Sequence, residues 1–81
     1  MYIVYALYSK KFDKIYIGYT SNLNERFKSH NELSKKGWTV SFRPWEIIFQ
    51  EEHLEKTEAL KREKQLKSCS GRDFIRSLIN K

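Results

Sequence analysis

Apolar and polar positions alternate along the start of the chain in two short runs. Residues 2–9, Tyr-Ile-Val-Tyr-Ala-Leu-Tyr-Ser, and 14–19, Lys-Ile-Tyr-Ile-Gly-Tyr, are rich in β-branched and aromatic side chains, and the polar stretch Lys10-Lys11-Phe12-Asp13 separates them. Such a pair predicts an antiparallel hairpin. If Ser9 faces Lys14, then Tyr5 stands opposite Gly18 and Leu7 opposite Tyr16, which puts Tyr5 and Tyr16 on one face, two rungs apart. A slip of a single residue would break that relation.

The pattern then changes period. Asn22 followed by Glu25 resembles a capping box, and Leu23, Phe27 and His30 fall at helical spacing, which predicts a helix from 22 to about 33 with Arg26 bordering its buried face. Ser34-Lys35-Lys36-Gly37 reads as a loop. After Pro44, the run Trp45-Glu46-Ile47-Ile48-Phe49-Gln50 alternates as a third strand, with Trp45, Ile47 and Phe49 expected on one face. Residues 53–68, rich in Glu, Lys, Leu and Ala, predict a second helix. At about 100° per residue, Glu63 falls centrally in the arc marked by Ala59, Leu60 and Leu66. Ser70 with Asp73 suggests a fresh cap, followed by a short amphipathic helix built on Phe74, Ile75, Leu78 and Ile79. The element order is β-β-α-β-α-α, in one α+β domain spanning 1–81.

Eighty-one residues sit near the small end of what folds unaided, so every element must join a single core. Cys69 is the only cysteine, which excludes an internal disulfide and reads as an incidental thiol. Sixteen Lys and Arg against ten Asp and Glu leave a formal charge of +6, an excess that favours polyanionic partners. No apolar run reaches the roughly 20 residues that span a bilayer, and the N-terminus lacks a signal-peptide pattern. The expectation is a cytoplasmic protein.

Val4-Tyr5, ten intervening residues, Tyr16-Ile17-Gly18, then Thr20-Ser21-Asn22-Leu23-Asn24-Glu25-Arg26 with His30, and later Glu58-Ala59-Leu60-Lys61-Arg62-Glu63, together resemble the GIY-YIG nuclease superfamily. The resemblance covers residues 2 to about 68. It is nearest to small single-domain bacterial members and similar to the amino-terminal nuclease domain of the excision-repair incision subunit. It implies a small three-stranded antiparallel sheet flanked by helices, and metal-dependent endonucleolytic cleavage of DNA phosphodiester bonds, in DNA repair or processing. By position it assigns Tyr5 and Tyr16 to the two tripeptides, Arg26 to the helical arginine, His30 to the histidine or tyrosine one turn later, and Glu63 to the metal-binding glutamate. Two departures stand out. Ile3 replaces the first glycine, and the downstream asparagine expected near Ile75 is missing, with Asn80 too far along to match.

The residue chemistry agrees with that assignment. A carboxylate on an apolar arc needs a cation or a hydrogen-bonded partner, and one carboxylate plus waters suits Mg²⁺ or Mn²⁺; the competing reading is an ion pair with a lysine or arginine of another element. Tyr5 and Tyr16 are candidates to contact or deprotonate the attacking water, although a phenol near pKa ~10 is a poor base at neutral pH without a neighbouring cation. Arg26 offers a bidentate fork to phosphate and a positive field for a phenolate. His30 is the rival base. Lys61, Arg62, Lys64 and Lys67, with Lys56, Arg72 and Arg76, are candidates to follow the DNA phosphate backbone, against the alternative of a solvated helical face. His53, flanked by Glu51, Glu52 and Glu55, reads as surface, and Trp38 and Trp45 as packing residues. Two other functions stay open: a non-catalytic nucleic-acid-binding module of the same fold, and a protein-interaction domain.

Overall fold

The computed structural model describes residues 1–28 and 38–79. His30, the rest of the helix expected to run to about 33, the 34–37 loop and Asn80 lie outside the described residues. The chain forms β1 (Tyr2–Ser9), β2 (Lys14–Thr20), α1 (Leu23–Lys28), a 3₁₀ turn (Trp38–Phe42), β3 (Glu46–His53), α2 (Lys56–Leu66) and α3 (Cys69–Ile79). The three strands make one antiparallel sheet in the order β2-β1-β3. The hairpin register matches the expected one: Ser9 pairs with Lys14, Leu7 with Tyr16 and Tyr5 with Gly18. Asp13 closes the turn at φ 53, a left-handed conformation that Asp tolerates, and its Oδ1 accepts from Tyr8 Oη at 3.1 Å and Arg76 Nη1 at 2.9 Å. The turn is thereby tied to α3.

The central strand divides the core in two. Val4 and Ala6 face the layer made by α2 and α3, where they join Ile17, Ala59, Leu66 and Ile75. Tyr5 and Leu7 face the other way, against Leu23 of α1 and Trp45. Each such large apolar side chain contributes about 1.5–3 kcal/mol on burial, so the two clusters together hold this small domain.

Two expectations about β3 are corrected. The strand does not stop at Gln50 but runs on to His53, because Glu51, Glu52 and His53 find ladder partners in Val4, Ile3 and Tyr2. α2 accordingly begins at Lys56, and Leu54 lies outside it with 76% exposure. Nor do Trp45, Ile47 and Phe49 share a face. Ala6 pairs with Phe49 while Leu7 pairs with Ile47, so Ile48 is an extra residue that resets the alternation. Ile48 and Phe49 pack on the α2–α3 layer, whereas Trp45 is buried against the tyrosines.

Local caps explain the helix starts. Asn22 Oδ1 accepts from the Glu25 amide at 3.2 Å, and Asn22 Nδ2 donates to Glu25 Oε2 at 3.2 Å, the reciprocal bond expected from that spacing. For α3 the cap is Ser68, not Ser70: Ser68 Oγ accepts from the Gly71 amide at 3.3 Å, and α3 therefore starts two residues earlier than the Ser70 reading implied. Gly71 is required there by contact, since a β-carbon would stand 2.2 Å from the Gln65 carbonyl oxygen and 2.5 Å from Leu66 Cα. No helix among the described residues is long and apolar enough to cross a membrane.

Candidate active site

Tyr5, Tyr16 and Arg26 come together on the α1 side of the sheet. The hairpin register sets both phenols on one face, and their ring centroids lie 6.2 Å apart at 34°. Gly18, the cross-strand partner of Tyr5, leaves the space that the Tyr5 ring fills. Trp45 backs the pair from the other side, edge-on to Tyr16 at 6.5 Å and buried. The Asn22 cap fixes the start of α1 and so delivers Arg26, one turn in, to both phenols, with which it hydrogen-bonds.

Electrostatics separates the two tyrosines. Tyr5 is 1% exposed, and burial pushes its phenol up to about 12; the Arg26 hydrogen bond pulls the other way but does not overcome it, and Tyr16 adds to the rise. Tyr5 is therefore protonated across the physiological range and acts as a hydrogen-bonding group, not a base. Tyr16 is half-buried on an edge strand. The Arg26 guanidinium is held still more firmly protonated, first by its bond to Tyr5 and then by Tyr16. Its described partners are the phenols of Tyr5 and Tyr16, not carboxylates, which leaves its charge available to an anion. Thr20, Ser21, Asn22 and Glu25 line a polar cleft of about 320 Å³ beside it.

Glu63 belongs to the opposite layer. It lies on the inward stripe of α2 between the buried Ala59 and Leu66, as the helical reading expected, and its side chain is 18% exposed. Its described partner is Lys67 Nζ at 3.4 Å, one turn on in the same helix, in place of a cation from another element. A partly shielded hard-oxygen donor whose described partner is a flexible lysine fits a strongly hydrated divalent ion. Among the described residues no cluster of three or more His, Cys, Asp or Glu side chains offers a richer ligand set.

The remaining sequence candidates are scattered. Lys61 and Lys64 are exposed on the outer side of α2. Arg62 is engaged, its Nε 3.3 Å from Glu51 Oε2 and its Nη1 3.3 Å from Gln65 Oε1. Glu51 also meets His53 Nε2 at 2.9 Å, and the His53 side chain is only 16% exposed, so it is not the surface residue its acidic flanks suggested. Ile3 packs beside the tyrosine cluster, which accounts for an aliphatic residue in the first tripeptide. Ile75 is wholly buried in the helical core, so that position serves packing. The part played by Gly18 was not anticipated; its place opposite Tyr5 in the register was the available signal.

The model of the GIY-YIG catalytic domain matches residues 1–75. This chain belongs to the GIY-YIG family. Membership places it among nuclease domains, and the described fold and order of motifs agree with that. Similar proteins include a UPF0213 protein of Staphylococcus haemolyticus, 31% identical over 68 residues, with 84% of this chain and 83% of the relative covered. UPF0213 proteins of Staphylococcus epidermidis and Staphylococcus aureus are 39% and 34% identical over 64 and 62 residues, covering 79% and 76% of this chain and 78% and 76% of their own. No solved structure gives a significant match.

Proposed function

We propose that this GIY-YIG domain is a divalent-metal-dependent endonuclease that hydrolyses DNA phosphodiester bonds, acting in the cytoplasm in repair or processing of DNA. The observation that carries the reading is the Tyr5–Tyr16–Arg26 cluster, in which a cation whose described partners are two phenols lines a polar cleft. Arg26 binds a non-bridging oxygen of the scissile phosphate and offsets charge gathering there. Tyr5, fixed as a protonated phenol, holds Arg26 and Tyr16 in register. Tyr16 contacts and orients the attacking water through its hydroxyl, and the water's proton passes to His30 as its oxygen bonds to phosphorus and the P–O bond to the departing oxygen breaks, that oxygen taking a proton from solvent. Glu63 is the residue to hold Mg²⁺ or Mn²⁺, which when bound supplies Lewis acidity toward phosphoryl oxygens.

Ile75 favours a second reading. Its burial in place of the downstream asparagine removes one polar side chain from the family's set, as expected of a nucleic-acid-binding module of this fold without turnover. Incubating purified protein with supercoiled plasmid, branched DNA and single strands in Mg²⁺, Mn²⁺ or chelator separates the two. Metal-dependent nicking supports the endonuclease; DNA binding without nicking in any metal leaves the module.

A further inference from the structure

The outer edge of β2 carries a second charged feature that the tyrosine cluster does not use. β2 is an edge strand, and between it and the α2–α3 junction runs a groove of about 450 Å³, lined by Ile15, Tyr16 and Ile17 of the strand and by Asp13, Lys14, Lys67, Arg72 and Arg76. Four cations therefore surround one carboxylate, Asp13, already bonded to Arg76 at 2.9 Å. Lys67 leans on Glu63, whereas Arg72, in the first turn of α3, is exposed and has no ion pair among the described residues. Lys14 and Tyr16 sit on the same face of β2, and the Lys14 ammonium stands 5.5 Å over the Phe42 ring. The groove thus starts at a residue of the candidate site and leads away from it along a row of bases.

We propose that this groove is a backbone-tracking site: one sugar–phosphate strand of the nucleic acid leaves the Arg26 region, rounds the free edge of β2, and sets its next phosphates on Lys14, Lys67 and Arg72. The inference rests on the nucleic-acid reading above and deepens it. It moves the main phosphate path from the outer side of α2, where Lys61 and Lys64 project, to the β2 edge. The groove is walled on one side by β2 and carries Lys14, Lys67, Arg72 and Arg76, charges that answer phosphates rather than base edges, so its partner is the repeating anionic backbone of a single strand, read without regard to base sequence. Among the described residues no strand pairs with the outer edge of β2, so its outward backbone groups can meet polar ligand atoms directly.

The test is equilibrium binding of a fluorescent oligonucleotide by the full chain in chelator, where no cleavage intervenes, at several salt concentrations. With a single-stranded oligonucleotide, Lys14→Ala and Arg72→Ala should each reduce the log–log salt slope by about 0.7, equally for unrelated sequences, with unchanged melting temperatures. Lys10→Ala, an exposed lysine of the hairpin turn, should leave the slope as it was. Wild-type slopes in both groove variants, or a fall confined to a Lys61→Ala/Lys64→Ala variant, would overturn the proposal while plasmid nicking still supported the nuclease. Absence of any salt-dependent binding by the wild-type protein would overturn the groove, and absence of nicking besides would remove the nuclease reading itself.

Discussion

The Tyr5 ring lies across Gly18: a β-carbon built on that glycine would stand 2.9 Å from the Tyr5 hydroxyl oxygen and 3.1 Å from both Tyr5 Cζ and Tyr16 Cε1. The glycine of the second tripeptide is therefore a spacer for the tyrosine of the first. Gly18→Ala should push a fully buried ring aside, at a cost of about 1–3 kcal/mol, and lower the melting temperature by several degrees. It should also part Tyr5 from Arg26, so plasmid nicking should fall more than stability alone explains. Unchanged melting and nicking would show that the ring has room to spare.

Tyr5→Phe tests the protonation of the cluster. In the wild-type protein one of the five tyrosines should ionise late, near 12, in an ultraviolet titration, and that step should vanish in the variant. The linkage has a definite sign. The native phenol holds its proton more tightly than an unfolded tyrosine, so its contribution is fully present below about pH 10 and is lost as pH rises toward 12. Wild-type stability should accordingly drop by roughly 2 kcal/mol relative to Tyr5→Phe across that window, measured by urea unfolding at each pH. Near pH 7 the two pH profiles should run parallel, since Tyr5 does not titrate there.

Arg26 is the exposed member of the cluster, and its proposed work is at the scissile phosphate. Arg26→Ala should reduce nicking by about 10²–10³-fold, the usual scale for loss of a preorganised donor, while binding weakens by no more than one phosphate contact. Arg26→Lys retains charge but not the fork and should recover only part of the rate. Equal losses of binding and nicking would make Arg26 a general anchor.

Much of this arrangement was legible in the sequence because it depends on period and spacing. The even-numbered separation of the hairpin runs set the register, and the register alone put Tyr5 and Tyr16 on one face. Asn22 and Glu25 announced α1, and with it the placement of Arg26. What escaped was decided by tertiary partners. Glu51, Glu52 and His53 have poor strand propensity, yet they extend β3 because the central strand offers them a ladder. The extra residue at Ile48 leaves no mark in a simple alternation, and it sends Phe49 and Trp45 to opposite layers. The groove likewise joins Lys14 to Arg72, residues that no local pattern connects.

Ile75 offers a check on the position where the family's asparagine was sought. The side chain is fully buried among Val4, Ala6, Ile17 and Leu66, so Ile75→Asn would trade an aliphatic group for an amide without water. The cost should be about 3–5 kcal/mol, enough to leave this small domain largely unfolded, with no gain in nicking. A folded, more active variant would mean that position 75 opens onto the site and that the module reading is mistaken.

Glu63→Gln bears most directly on the metal. The substitution keeps the side chain's shape on the inner stripe of α2 and removes the charge now answered by Lys67 at 3.4 Å. If the carboxylate holds Mg²⁺, the ion should stabilise the wild-type fold by about 1.4 kcal/mol at tenfold its dissociation constant, a rise of several degrees in melting temperature that the variant should lack. Nicking should collapse in the variant and in chelator alike, while both proteins remain folded. Lys67 competes with the ion for the same oxygen, so Lys67→Ala should bring the thermal shift to a lower Mg²⁺ concentration. Nicking that persists in chelator, or full activity in Glu63→Gln, would sink the metal role. Equal thermal shifts in both proteins would place the ion elsewhere, and the collapse of nicking alone would then assign Glu63 a role without metal.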